Sequence, residues 1–361
     1  MRVTFVLAIL IVFATACTPS GCRRTQEPAL TPADSLSRKV ATTAEVDSLT
    51  IAWSSTGPES MPLQFPRTVR FLEDGTLAVS DAQAGVIHLF GSGGTHRGTL
   101  DPGGLDVPYI AGARGDTLVV FSAGSNAIDL ITWSASSEGG MTARRVSGAS
   151  RTLQRPSEQT LAYVVASDSL IYAKIVGSDV ASTVGRVGLN GVISPAVELP
   201  GPYWRHAGFL RIWGDDLVSL TGYRPVVDLL PLDTLTTRPD SLALVGFDSP
   251  MLERSYRFLE GDVDNAPVLS VSAMPVGDEL YVLNLRPQRL HVDVFGRDGR
   301  IRRTLVGQGA RRTGDYYPRD LAVRRRGDAL DVAVVTTSPQ PEVLFYQSLT
   351  QDSSNTASDQ N

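Results

Sequence analysis

The chain has 361 residues, enough for two ordinary domains or one long repeat array, and 42% of them are hydrophobic, enough to bury a large core. Its 33 glycines and 22 prolines favour turns over helices. A formal charge of -5 speaks against a general nucleic-acid binder, which needs a basic face, and because Lys39 and Lys174 are the only lysines, the excess of arginine reads as genome composition.

From the N-terminus, Arg2 precedes an apolar run from Val3 to Ala14, shorter than the roughly 20 residues of a membrane span, so residues 1–16 are expected to be a signal peptide. The following Ala14-Thr15-Ala16-Cys17 resembles the lipobox of bacterial lipoproteins, although leucine is more usual three residues before the cysteine. The resemblance implies lipidation of Cys17. Cys22 is a competing site, and a Cys17–Cys22 disulfide after a plain signal peptide is the alternative. No cysteine follows Cys22, which leaves the folded body without a disulfide or a thiolate site. Residues 17–46, rich in Thr, Ser, Ala, Pro and charge, are expected to form a flexible tether, and the polar stretch 348–361 a disordered tail.

Between these ends a Gly/Asp turn opening a β-rich run returns six times, in Asp74-Gly75-Thr76-Leu77, Gly115-Asp116-Thr117-Leu118, Ser167-Asp168-Ser169-Leu170, Gly214-Asp215-Asp216-Leu217, Gly277-Asp278-Glu279-Leu280 and Gly327-Asp328-Ala329-Leu330. The six leucines stand 41, 52, 47, 63 and 50 residues apart, the spacing of four-stranded propeller blades. A second hairpin repeats as well: Phe90-Gly91 to Leu100 and Phe295-Gly296 to Leu305 share Phe, both Gly, Arg, Thr and Leu in register. Two hairpins per unit make four strands. The sixth unit, from Arg319 to Gln347, has room for three, and Asp47-Ser48-Leu49-Thr50-Ile51 alternates as a half-buried strand should and can supply the fourth. Residues 47–347 are therefore expected to form an all-β, six-bladed β-propeller of four-stranded antiparallel blades. The N-terminal strand completes the last blade and leaves no open edge.

In its first unit the chain resembles the NHL-repeat-like and TolB-like group of six-bladed propellers, through Pro66-Arg67-Thr68-Val69, Asp74-Gly75-Thr76-Leu77-Ala78-Val79-Ser80-Asp81, Val86-Ile87-His88-Leu89-Phe90 and Gly94. Later units replace Asp81 by Ser122, Lys174, Thr221, Asn284 and Thr336. The resemblance implies a fold used for binding proteins, RNA, peptides or carbohydrates, and by lactonases and other hydrolases, so the activity has to be argued from the site.

The loops entering each inner strand are expected to share one face with those joining the second and third strands. That face collects Arg67, Arg205, His206, Arg224, Arg286, Tyr317 and Arg319 as candidate ligand-binding residues, with Tyr203, Trp204, Tyr316, Tyr256 and Arg257 nearby. Guanidinium forks and flat rings suit an anionic or sugar-like ligand; the plainer reading is that they wedge blades and pair with carboxylates. No histidine set suits zinc, and there is neither a Gly-x-Ser-x-Gly elbow nor a Walker loop. No catalytic residue, metal or cofactor is assigned. Calcium, which lactonase-like propellers hold with Glu, Asn and Asp, would have to use Asp81, Asn126, Asn284 and Asp320. The expected role is a non-catalytic binding or scaffold module with a protein, peptide or glycan ligand on the channel face. It would be a monomer of the cell envelope, lipid-anchored to the outer membrane or to the periplasmic face of the inner membrane. The alternative is a metal-dependent propeller hydrolase, lactonase-like or glycan-active.

Overall fold

The repeated Gly/Asp turn sets the local geometry. Gly75, Gly115, Gly214, Gly277 and Gly327 all have φ between +51° and +83°, a region closed to most side chains, and each turns the chain from a first into a second antiparallel strand. In this computed structural model the described residues are 31–135, 141–154, 159–167, 170–177, 180–199, 201, 206, 208–232, 239–264, 267–286, 288–308 and 316–348. The expected signal peptide, Cys17, Cys22, most of the tether and the tail beyond residue 348 lie outside them.

The chain is an all-β propeller of antiparallel sheets. After strand β1 (Glu45–Ser55) comes a four-stranded meander of β2 (Pro66–Phe71), β3 (Leu77–Asp81), β4 (Val86–Phe90) and β5 (His96–Leu100). The next sheet holds β6 (Pro108–Arg114), β7 (Thr117–Ser122) and β8 (Ala127–Ala135), and both β9 (Met141–Arg145) and β10 (Arg151–Thr152) pair with β8. Two more meanders follow, β11 (Gln159–Ala166), β12 (Ile171–Gly177), β13 (Thr183–Val187) and β14 (Ile193–Glu198), then β15 (Leu210–Trp213), β16 (Asp216–Leu220), β17 (Val226–Pro231) and β18 (Asp240–Ala243). The fifth sheet has eight strands: β19 (Ser270–Val276), β20 (Glu279–Asn284), β21 (His291–Gly296) and β22 (Ile301–Gln308), then β1, then β25 (Glu342–Ser348), β24 (Ala329–Ser338) and β23 (Tyr317–Arg326). Inside it β1 runs parallel to β22 and antiparallel to β25, so the N-terminal strand shares a sheet with the last strand of the chain.

The first strands β2, β6, β11, β15, β19 and β23 neighbour one another in that cyclic order and surround an axis. Apolar side chains fill the space between successive sheets; Ala78, Ile87 and Leu89 of one meet Ile110, Leu118 and Ile131 of the next. Fully burying a Leu or Ile contributes about 1.5–3 kcal/mol, so the core is distributed around the ring rather than gathered at one centre.

Part of the expected tether is ordered. Pro32–Ala41 forms helix α1, because Thr31 and Asp34 make a capping box, Pro32 occupies the first turn, and Arg38 and Lys39 sit in the last turn against the helix dipole. Asp34 accepts a 2.8 Å hydrogen bond from Tyr256 of helix α2 (Leu252–Leu259), and Ser37 Oγ accepts from the Gly246 amide at 3.1 Å. Short helical periodicity was masked here by a polar composition.

Candidate functional site

Five of the six first strands share an irregularity. In β2 the pairing skips Arg67, in β6 Ala111, in β11 Ala162, in β19 Val271 and in β23 Arg319. Each is a one-residue β-bulge, near the strand's start in β2, β19 and β23 and mid-strand in β6 and β11, a device that re-aims a side chain and recurs next to functional sites. The bulges at Arg67, Val271 and Arg319 fall at one channel mouth. There a cavity of about 140 Å³ is lined by Arg67, Tyr109, Tyr163, Phe209, Ser270, Val271, Tyr317 and Arg319.

Arg67 and Arg319 are held in matching ways. Arg67 donates from Nε to the Tyr109 hydroxyl at 2.7 Å, and its guanidinium lies 5.5 Å from the Phe65 ring centre and 5.2 Å from that of Tyr109. Arg319 donates from Nε to Thr337 Oγ1 at 3.0 Å and lies 5.0 Å from Phe65 and 4.5 Å from Tyr317. Cation–π contacts of this kind contribute roughly 0.5–2 kcal/mol each. Neither arginine has a carboxylate partner among the described residues, and both keep their terminal Nη groups for the cavity. Burial, aided by the like charge of Arg67, lowers the affinity of Arg319 for its proton.

One layer deeper the channel is closed by a buried network on Asp320. Its Oδ1 accepts from Arg211 Nη2 at 2.9 Å and Ser272 Oγ at 2.5 Å; its Oδ2 accepts from Arg70 Nη1 at 2.8 Å and the Val69 amide at 3.1 Å. Two guanidinium groups thus share one carboxylate, leaving a net positive charge beneath the cavity. Burial first, then Arg70, lowers Arg211 to about 9. Arg211 stacks on Phe209 at 4.2 Å, so this network also props the cavity wall. Tyr163, packed on Phe209 with ring centres 4.6 Å apart, is pushed up to about 12, chiefly by burial and then by Tyr109, and stays a phenol at neutral pH. Behind it, buried Lys174 donates to the Gly208 and Leu220 carbonyls at 2.6 and 3.1 Å, and burial lowers it to about 7.

Of the residues expected on this face, Arg67, Tyr317 and Arg319 meet in the cavity. His206 is fully buried, with Nδ1 4.0 Å from Asp228 Oδ2. Arg224 lies 5.8 Å over Tyr256, in a separate groove beside α1. Arg286 is bound to the Asp248 carbonyl, and burial lowers its proton affinity. Arg205, with Tyr203 and Trp204, lies outside the described residues. Tyr109, Tyr163, Phe209 and Arg211 were missed; Tyr109, Phe209 and Arg211 lie at or just before the start of a first strand and Tyr163 lies mid-strand in β11, positions the sequence does not mark.

The calcium set does not assemble. Asp81 is occupied by the amides of Gln64, Phe65, Gln83 and Ala84 at 2.6–3.1 Å, and Asp320 by its arginines. Asn284 bonds Asp293 and the Asp248 carbonyl, while Asn126 holds a turn with φ of +51°. Among the described residues no group of three or more His, Cys, Asp or Glu could hold a metal ion, so no step is assigned to one.

No protein-family model and no curated protein matches the chain. Solved structures do. A streptogramin B lyase is 13% identical with a TM-score of 0.46, over 83% of this chain and 88% of that one. Regucalcin from Agrobacterium tumefaciens, described as a calcium-binding protein, is 11% identical with a TM-score of 0.49, over 84% and 95%. The PQQ-bound aldose sugar dehydrogenase of Streptomyces coelicolor is 13% identical with a TM-score of 0.47, over 83% and 98%. The likeness is one of fold. The expectation of a non-catalytic binding or scaffold module is not supported by these neighbours, which include a lyase and a dehydrogenase.

Proposed function

We propose that the chain is a propeller enzyme acting on a small anionic molecule, an acidic sugar or a similar carboxylate or phosphate, whose charged group enters between Arg67 and Arg319. The observation that carries this reading is the pair of guanidinium groups in one cavity, each held through Nε and neither matched by a carboxylate. A guanidinium fork binds a carboxylate or phosphate through two parallel hydrogen bonds. Fixed donors of this kind also stabilise negative charge that develops during cleavage, without reorganising. Tyr163, protonated at neutral pH, supplies an un-ionised wall and a hydroxyl beside the clamp. Tyr109 and Tyr317 offer flat faces to a sugar ring. The cavity of about 140 Å³ is below the roughly 300–1,000 Å³ of drug-sized sites, so it takes the charged end while the rest of the substrate occupies the open mouth. Hydrolysis or elimination next to that anionic group is the chemistry the clamp suits.

Calorimetric titration with glucuronate, galacturonate and sugar phosphates tests the clamp. Arg67→Gln and Arg319→Gln are each expected to weaken binding about tenfold or more. Equal affinity for neutral glucose would overturn the anionic reading, and intact binding without cleavage of any uronate-containing oligosaccharide would overturn the enzymatic one.

We further read the ring as six-bladed. In support, six first strands surround the axis, and the eight-stranded sheet divides at the parallel β1–β22 seam into two meanders of four. We also propose that Cys17 carries a lipid holding the propeller at the cell envelope, on the strength of the Ala14–Cys17 sequence.

A further inference from the structure

The sheets β6–β10 and β11–β14 leave a groove of about 880 Å³ between them, running from the Gly/Asp turns near Thr117 and Ser167 to the outer part of the sheets at Val146, Arg151 and Leu189. Its floor is apolar. Val119, Leu130, Leu170 and Ile171 line it while only partly buried, so the hydrophobic contacts between these two sheets are not completed on this side. Val146 and Leu189 stand at its edge, 36% and 85% exposed, and Val192 of the same hairpin is 37% exposed. Exposed apolar groups gathered in this way mark a binding surface more often than chance scatter does.

Three arginines, Arg114, Arg151 and Arg186, also line the groove, and among the described residues no carboxylate does. In a chain whose formal charge is -5, a cluster of one sign with an apolar floor is selective. Arg114 bridges the sheets by donating to the Ser167 carbonyl at 3.4 Å. Arg151 and Arg186 have no ion pair among the described residues, in contrast with the paired arginines Arg145, Arg297 and Arg303. Stems of arginine cover apolar surface while their heads stay in water, so the groove combines a dry trough with cationic ends.

We propose that this groove binds a single-chain anionic amphiphile of the fatty-acid type, with its chain along the floor and its carboxylate at Arg151 and Arg186. The volume falls within the range typical of small-molecule sites, and the concave shape encloses one chain rather than resting on a flat surface. The groove is independent of the axial cavity.

Titration of the full chain with dodecanoate below its micelle concentration tests the site. Saturable binding with one ligand per chain is expected. The double variant Arg151→Glu with Arg186→Glu should weaken it about a hundredfold, roughly tenfold for each lost charge-assisted contact. Leu189→Ser should weaken dodecanoate more than octanoate, and Arg67→Gln should leave both unchanged. Equally tight binding of dodecyltrimethylammonium, or insensitivity to the double variant, would overturn the proposal. So would loss of binding in Arg67→Gln, which would put the ligand in the axial cavity. Binding to anionic phospholipid vesicles without binding of the monomeric amphiphile would show a membrane-facing surface instead and equally overturn it.

Discussion

Asp320 is the residue on which the channel depends. It is fully buried, and its two oxygens accept four hydrogen bonds, two of them from arginines that have no other ion pair among the described residues. A buried ion pair contributes little net stability against an apolar replacement, but removing one partner strands the other charge, at about 3–5 kcal/mol. Asp320→Asn leaves Arg70 and Arg211 adjacent and uncompensated. We expect urea unfolding to show a loss of that order, and a loss below 1 kcal/mol would mean that water reaches these arginines. Asp81 shows the same residue type in another role. In the repeat its position looks like a site, yet four amides saturate it and it fixes the Gln64–Phe65 loop on which Arg67 and Arg319 stack.

A bulge recurs in five first strands, with Arg67, Ala111, Ala162, Val271 and Arg319 as the inserted residues, and three of these five reach the cavity. Val271 lines the cavity with the two arginines, so this position reaches the ligand space from β19 as well. A carboxylate placed there would pair with Arg67 or Arg319 and compete with an anionic ligand. Val271→Glu is therefore expected to weaken anion binding about tenfold or more, with little change in stability, whereas Val271→Leu should leave it intact. Undiminished binding in Val271→Glu would mean that the bulges do not converge on the ligand. The bulges also explain what the sequence could show of this site. Arg67 and Arg319 were legible because they flank strands marked by the repeat. Tyr109 and Tyr163 were not, because the direction in which a residue points depends on a skipped pairing that leaves no mark in composition or period; Arg211, on the regular strand β15, was not because its partner Asp320 is 109 residues away in the chain. His206, expected among the ligand-binding residues of the channel face, is instead buried beside Asp228.

At the level of the whole molecule, the repeat of Gly/Asp turns was enough to anticipate antiparallel meanders and a late unit lacking a strand, because both follow from local turn chemistry. Asp47 to Ile51 was read as the missing strand, and the observed β1 is longer, Glu45–Ser55, since it has two partners rather than one. Its Trp53 stacks on Phe345 of β25, with centres 5.0 Å apart and planes within 5°, and donates to the Ser92 carbonyl at 2.8 Å in the turn between β4 and β5. One strand thus joins the last sheet, the preceding meander and the first sheet. Helix α1, by contrast, is held to the segment around Gly246 to Tyr256 mainly by hydrogen bonds and ion pairs of Asp34, Ser37 and Arg38. Removing the chain up to Ala44 should therefore leave a monomeric, cooperatively unfolding propeller. Removing it up to Ser55 should expose the edges of β22 and β25, lower the melting temperature far more and promote association through those edges. Light scattering and thermal unfolding of the two truncations separate these outcomes, and equal stability and equal monodispersity in both would show that the ring closes without β1.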